Sequence, residues 1–410
     1  MQLIDSPGRN KFLNLPNYLL LAYTLFLMGF FFIPNAVTQY KLFIGALFLP
    51  GLFVIRDTLK TLQHNRLWHL ILLYLGYMLI SSFWSKDFSA KELSYSLRLA
   101  AYIIMFLLIT VLLYRHEHKV FEKIIKSISI SAAIAAAVSM VLWYAEHPFP
   151  TSRLVGMGTI ENPNPSAFLY GFFAVLSCYY ALRSGRVRSK LGFTAVCMVL
   201  LGFVALTQSN TGILSTMLCV TLVLVFHLHN KLITIGTGVI GVGLAGLYLL
   251  SSIGMLSAPA DTGLTERLPI WRTALEQVDN APVFGNGYQK ELLLTPSGEA
   301  DAANYAHNAY LASARDGGLV GLVLQLLILL AGLRAALRIA KAQGDSFYVI
   351  LLVFGFICMS ADTDQLITRP RELWIIYWLP LAMILAQDAL LVREQPTLNG
   401  KPVNRQSNSV

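Results

Sequence analysis

Residues 304–330 read "NYAHNAYLASARDGGLVGLVLQLLILL", and this stretch decides the fold. It passes from a polar segment holding His307 into an apolar run at 318–338. That run is about 20 residues long, the length an α-helix needs to cross a ~30 Å hydrocarbon core. Runs of the same kind recur near 16–34, 40–56, 67–84, 94–114, 124–144, 164–182, 191–208, 211–228, 232–256, 347–362 and 372–391. They make about twelve by the same criterion. Composition agrees: 56% of residues are hydrophobic, 13% are charged, and the mean hydropathy is +0.60. A soluble chain of 410 residues has no interior large enough to bury that much apolar surface. The expected fold is an all-α polytopic membrane protein with about 12 transmembrane helices. Pro50-Gly51 predicts a kink or split in the run at 40–56.

The net charge of +9 does not point to nucleic acid, because basic cytoplasmic loops account for it. With the N-terminus inside and loops assigned alternately, most of the 31 Lys and Arg residues fall on the inner side. That bias predicts both termini in the cytoplasm. The first run follows Arg9 and Lys11 without a small-residue cleavage site and reads as a retained helix. Cys178, Cys197, Cys219 and Cys358 all lie within apolar runs and read as small packing residues, with neither metal spacing nor a disulfide framework. Four regions are expected: helices 1–9 over 1–256, an outer loop domain over 257–317, helices 10–12 over 318–393, and a disordered cytoplasmic tail over 394–410. The outer loop is the anomaly. It runs about 60 residues where ordinary connections take a handful. A second outer loop spans 145–163. Long loops held between rigid helices are where sites are built.

The long loop contains "TERLPIWRTALEQVDNAPVFGNGYQ" at 265–289. Ile270, Ala274 and Val278 share a helical face, predicted to lie on the membrane interface with Trp271 as anchor. Arg267 and Arg272 stand at the start of this predicted helix, where a diphosphate clamp and plain headgroup contact both fit. Gly285 and Gly287 flank Asn286 in what reads as a turn, with only weak phosphate-binding character. His307 is either a neutral general base at the membrane surface or a loop imidazole bonded to a carbonyl. Asn308 and Arg315 are its polar neighbours, and Asp316 is placed either to cap the following helix or to orient His307. Arg153, Arg369 and Arg371 add cations to the outer face and suggest an anionic partner, with lipid headgroups as the alternative. Arg98 lies near a helix end and is read as snorkelling. The chain has no HExxH, Cys-x-x-Cys, Gly-x-Ser-x-Gly or Walker sequence, and no outer acidic pair with metal-ligand spacing. No cofactor and no metal are expected. A transporter would gather ionisable residues at helix midpoints, whereas here the polar residues gather on one outer face.

"RLPIWRTALEQVDNAPVFGNGY" followed by "HNAYLASARDGGLVGLVL" resembles the O-antigen ligase/polymerase family of bacterial inner membranes, and "ENPNPSA" at 161–167 resembles a further signature of it. The resemblance implies a multi-pass fold related to lipid-sugar transferases, with the site facing the periplasm. It implies transfer of a glycan from undecaprenyl diphosphate, in the ligase branch onto lipid A-core oligosaccharide. His307 would be the catalytic base and Arg267 a diphosphate binder, with Trp271, Asn308, Arg315 and Asp316 beside them. The partners implied are the undecaprenyl diphosphate-linked O-antigen, lipid A-core oligosaccharide and membrane lipids. Ser209-Asn210 departs from a Ser-Arg pair common in the family, and Arg153 and Arg272 are the candidates to replace that Arg. Polymerase activity shares the same motifs and stays open.

Overall fold

In the computed structural model the described residues are 15–86, 88–228, 263–288, 306–360, 362–363 and 365–399, and among them there is no strand. The first helices are α1 (Leu15–Phe32), α2 (Ala36–Gly51), α3 (Ile55–Leu62), α4 (Arg66–Trp84), α5 (Ala90–His116) and α6 (His118–Glu146). There follow α7 (Pro163–Arg183), α8 (Val187–Leu206), α9 (Asn210–His227), α10 (Gly263–Asn280), α11 (Ala309–Gln343), α12 (Phe347–Met359) and α13 (Trp374–Leu391). Among the described residues nine helices are long and apolar enough to span a bilayer, or ten if α2 and α3 form one broken span. α12 is apolar but short. The chain is a multi-pass helical membrane protein. The apolar run at 232–256 lies outside the described residues.

Two breaks are informative. α2 and α3 meet at 78° just after Pro50-Gly51, where the sequence predicts the kink. Gly51 lets this corner sit against Met105 and Ile109 of α5, where a Cβ would collide. α7 and α13 are the most buried spans and form the centre of the bundle. At the start of α13, Trp374 packs edge-on to Phe26 and Phe43 and tilted on Phe106. The four cysteines are buried and unbridged. The helix that contains α13 continues to Asn399, into the stretch expected to be a disordered tail. Adding turns to a helix already nucleated in the core costs little. Residues 400–410 lie outside the described residues.

The second break is in α11. The helix begins at Ala309, nine residues before the apolar run, and Gly318 interrupts it at φ 63°, ψ −159°. Such a break orphans carbonyls on one side and amides on the other, and within a membrane protein they need partners. The segment 282–287 supplies them. Asn286 N and Gly287 N donate to the carbonyls of Arg315 and Asp316, both at 2.9 Å. Pro282 O and Val283 O accept from Leu319 N and Val320 N at 2.8 and 3.2 Å. The Tyr77 hydroxyl covers Gly317 O at 2.7 Å. The Gly285-Asn286-Gly287 turn is therefore a backbone clamp on the broken helix, and its amides are committed there rather than to a ligand.

Candidate active site

The chain enters α11 through two residues with unlike backbones. His307 is left-handed, φ 48°, and Asn308 is extended. The Asn308 side chain caps the helix by accepting from Tyr310 N and Leu311 N, both at 3.0 Å. Of the two places offered to Asp316, capping this helix is ruled out, since the helix starts two turns earlier. A non-glycine residue at positive φ costs stability and persists where the surroundings fix it. Here they do: the His307 Nδ1 lies 2.7 Å from Asp362 Oδ1. Arg267 Nη2 lies 3.3 Å from the same oxygen.

Burial separates the roles of these three groups. The Asp362 and Arg267 side chains are 6% and 13% exposed, whereas the His307 ring is 34% exposed. The carboxylate is sealed and the imidazole is reachable. Burying a carboxylate costs several kcal/mol unless it is paired, and one guanidinium with one ring N–H offsets that here. An Nδ1–H donated to Asp362 fixes the tautomer and makes Nε2 the basic nitrogen of the ring. Asp362, and not Asp316, orients the ring. The sequence reading overlooked Asp362. Its signal was an acid at the very end of the apolar run at 347–362, on the same side as His307 by the charge bias.

α10 supplies Arg267. It begins at Gly263, so Arg267 lies a full turn inside the helix rather than at its first residues. Ile270 and Ala274 are buried, but against Ala306 and Ala312 rather than in lipid. The Trp271 indole donates to Ala306 O at 3.0 Å. The face expected on the membrane interface therefore docks onto the His307 segment, because Ala306 and Ala312 are small enough to admit a helix. Leu268 and Leu275 take the outward face. Arg272 is five residues from Arg267, about 140° around the helix at 3.6 residues per turn. It is exposed and pairs with Glu276 at 3.4 Å, so the structure does not bring it to the cluster.

Arg315 and Asp316 form a buried ion pair at 2.8 Å beneath the site, and Gln365 Nε2 donates to Asp316 Oδ2 at 2.8 Å. This ties the start of α11 to the segment that follows Asp362. Tyr74 and Ser313 share a further buried bond at 2.8 Å. Arg371 pairs with its neighbour Glu372, and Arg369 is exposed. Arg98 is exposed near the start of α5, over the Tyr95 ring.

Arg153 lies at the same end of the bundle. Its Nε donates to Thr207 O at 3.2 Å and its Nη2 to Asn164 Oδ1 at 2.6 Å. It thus joins "ENPNPSA" to the turn at 207–210, the turn where the resemblance leads one to expect an arginine after Ser209. α9 and α12 run antiparallel, with Cys358 against Ser215 and Cys219 against Ile350 O. The Asn210 end of α9 therefore meets the Asp362 end of α12.

Residues 193–326 match a family described as O-antigen ligase. The chain is 26% identical over 371 residues to an O-antigen ligase of Pseudomonas aeruginosa, covering 89% of each protein. It is 24% identical over 340 residues to an uncharacterized protein of Haemophilus influenzae, covering 76% of this chain and 82% of that one. The matched stretch 193–326 holds His307 and Arg267 but not Asp362, so this multi-pass helical chain is similar to the O-antigen ligase family over the segment that carries two members of the cluster.

Proposed function

We propose that the protein is an O-antigen ligase: an inner-membrane glycosyltransferase that moves an O-antigen glycan from undecaprenyl diphosphate to a sugar hydroxyl of lipid A-core. The observation that carries this reading is the His307–Asp362 pair at 2.7 Å with Arg267 on the same carboxylate. In the proposed reaction Nε2 of His307 accepts the acceptor hydroxyl's proton as its oxygen attacks the anomeric carbon. Base catalysis of this kind is worth about 10²- to 10⁴-fold. Asp362 holds the ring and stabilises the imidazolium that forms, as carboxylates do behind catalytic histidines. Arg267 has donors beyond the one facing Asp362, and these favour the diphosphate as charge develops on it. Arg153 takes the second phosphate-binding role, whereas Arg272 points elsewhere. Diphosphate leaves without needing a proton, and attack on the face opposite the breaking bond to it inverts the anomeric centre. We place the site at the periplasmic surface and both termini in the cytoplasm, as the basic-residue bias indicates.

The test uses purified full-length protein, undecaprenyl-diphosphate glycan and lipid A-core, with EDTA present. Wild type is expected to form ligated product. His307→Ala is expected to lose at least about 100-fold in rate while remaining folded and membrane-inserted. Equal rates for the two proteins would remove the base role, and loss of wild-type activity restored by a divalent ion would remove metal independence. Polymerase activity is distinguished by the acceptor: extension of one lipid-linked glycan by another, without use of lipid A-core, would favour it.

A further inference from the structure

At the end of the bundle opposite His307 a cavity of about 420 Å³ opens among α6, α7, α8 and the α11–α12 turn. The two ends are set by α11, which runs from Ala309 beside His307 to Gln343 on the cavity wall. Nothing in the proposed transfer uses this cavity. Its wall is aromatic, with Tyr179 and Tyr180 prominent, and four charged residues reach it: Glu122, Lys126, Arg183 and Asp345.

The two acids are already engaged. Asp345 is buried and accepts from the Tyr179 hydroxyl at 2.6 Å and the Phe347 amide at 2.9 Å, and it faces His227 Nε2 at 3.3 Å. Burial pushes its carboxyl up, but the bonds from His227, Tyr179 and Phe347 outweigh burial and hold it below the ordinary carboxylate range. Glu122 is bonded to Lys126 at 2.6 Å. Donors are in surplus. Arg183 is more than half exposed and touches Asp345 only through Nε, at 3.6 Å. Lys126 sits over the Tyr180 ring, 4.9 Å from its centroid, with ammonium hydrogens beyond the one given to Glu122. Lys119, Lys123, Arg186, Arg188 and Lys190 are exposed and are near neighbours in sequence of the lining residues His118, Glu122, Ser184 and Ser189. Engaged acids, spare cationic donors, an aromatic wall and a surplus of exposed basic residues on the adjoining segments suit one ligand class: a phosphate ester with apolar chains.

We propose that this cavity is a binding site for the phosphodiester headgroup of an anionic phospholipid, held by Lys126 and Arg183. Under the orientation read from the charge bias it takes lipid from the inner leaflet, on the side away from the transfer site. The proposal stands independently of the glycosyl-transfer reading.

The experiment uses the full chain, delipidated in detergent and offered phosphatidylglycerol, phosphatidylcholine or inorganic phosphate. Native mass spectrometry counts bound molecules and thermal unfolding reports stabilisation. Phosphatidylglycerol is expected to be retained and to raise Tm, with phosphatidylcholine retained much less. The double variant Lys126→Gln/Arg183→Gln is expected to weaken phosphatidylglycerol binding about tenfold or more. Arg56→Gln/Lys60→Gln, basic positions on α3 outside the cavity, is expected to leave it unchanged. Ser189→Trp fills the cavity from the first turn of α8 without altering charge. It is expected to block binding too, and it decides the matter if the charge variant does not fold. Inorganic phosphate stabilising as well as the lipid would mean a free-anion site and overturn the lipid assignment. Equal retention of the two lipids, or equal loss in the α3 control, would overturn the cavity altogether.

Discussion

At the scale of single residues, the site rests on one carboxylate shared by a ring and a guanidinium. Asp362→Asn keeps the shape but no longer favours the Nδ1–H tautomer or stabilises the imidazolium. Transfer is expected to fall by about 10²- to 10⁴-fold with acceptor affinity little changed, measured as kcat against KM. Loss confined to KM would make Asp362 a scaffold residue only. Arg267 and Arg272 offer an internal contrast. Arg267→Ala removes a partner from a sealed carboxylate and a proposed phosphate donor, so weakened use of the lipid-diphosphate donor by at least about tenfold is expected. Arg272→Ala breaks an exposed pair worth under about 1 kcal/mol and is expected to leave donor use unchanged. Equal effects in a donor titration would show that proximity to Asp362 is irrelevant.

Among the elements, the broken α11 and its clamp carry the most. Gly318 has φ 63°, and a Cβ there would strike the Val283 carbonyl; a Cβ on Gly285 would strike the Asp316 carbonyl. Both positions require glycine for space as well as for backbone angle. Gly285→Ala or Gly318→Ala is expected to destabilise by more than about 1 kcal/mol and to reduce folded, membrane-inserted protein, read by thermal unfolding in detergent. A variant with unchanged Tm would mean that the clamp is not what holds the break. This pairing was invisible in "PVFGNGY", which reads as an ordinary turn, because the groups it satisfies are about thirty residues later in sequence and the periodicity of an apolar run does not announce where the helix will break. α10 teaches a similar point. Its apolar stripe was legible, but a stripe fits lipid and protein equally. The small residues Ala306 and Ala312 decided in favour of protein.

For the whole molecule, polar chemistry sits at both ends of an apolar bundle, with His307 at one and Asp345 at the other. Asp345 has a lowered pKa in the folded state, so its contribution to stability is present above the unfolded carboxylate value of about 3.9 and is lost as pH falls through the folded value. Wild type is therefore expected to lose Tm more steeply than Asp345→Asn as pH drops below about 4. Parallel pH curves for the two proteins would show that the bonds from Tyr179, His227 and Phe347 do not favour the charged form.

The sequence by itself determined the membrane architecture, because a run of apolar residues of bilayer length has one favourable environment and that property is local. It also marked His307 and the Arg267/Arg272 pair as candidates, and the resemblance of their motifs to a family put His307 and Arg267 first. Only the tertiary structure decided that Asp362 joins them, that Arg272 does not, that Asn308 rather than Asp316 starts α11, and that Arg153 stands beside the turn ending in Asn210. These facts depend on which loops meet at the end of the bundle. That meeting is fixed by helix packing and by the need to pair every buried backbone group, and neither is written in any one stretch of the chain.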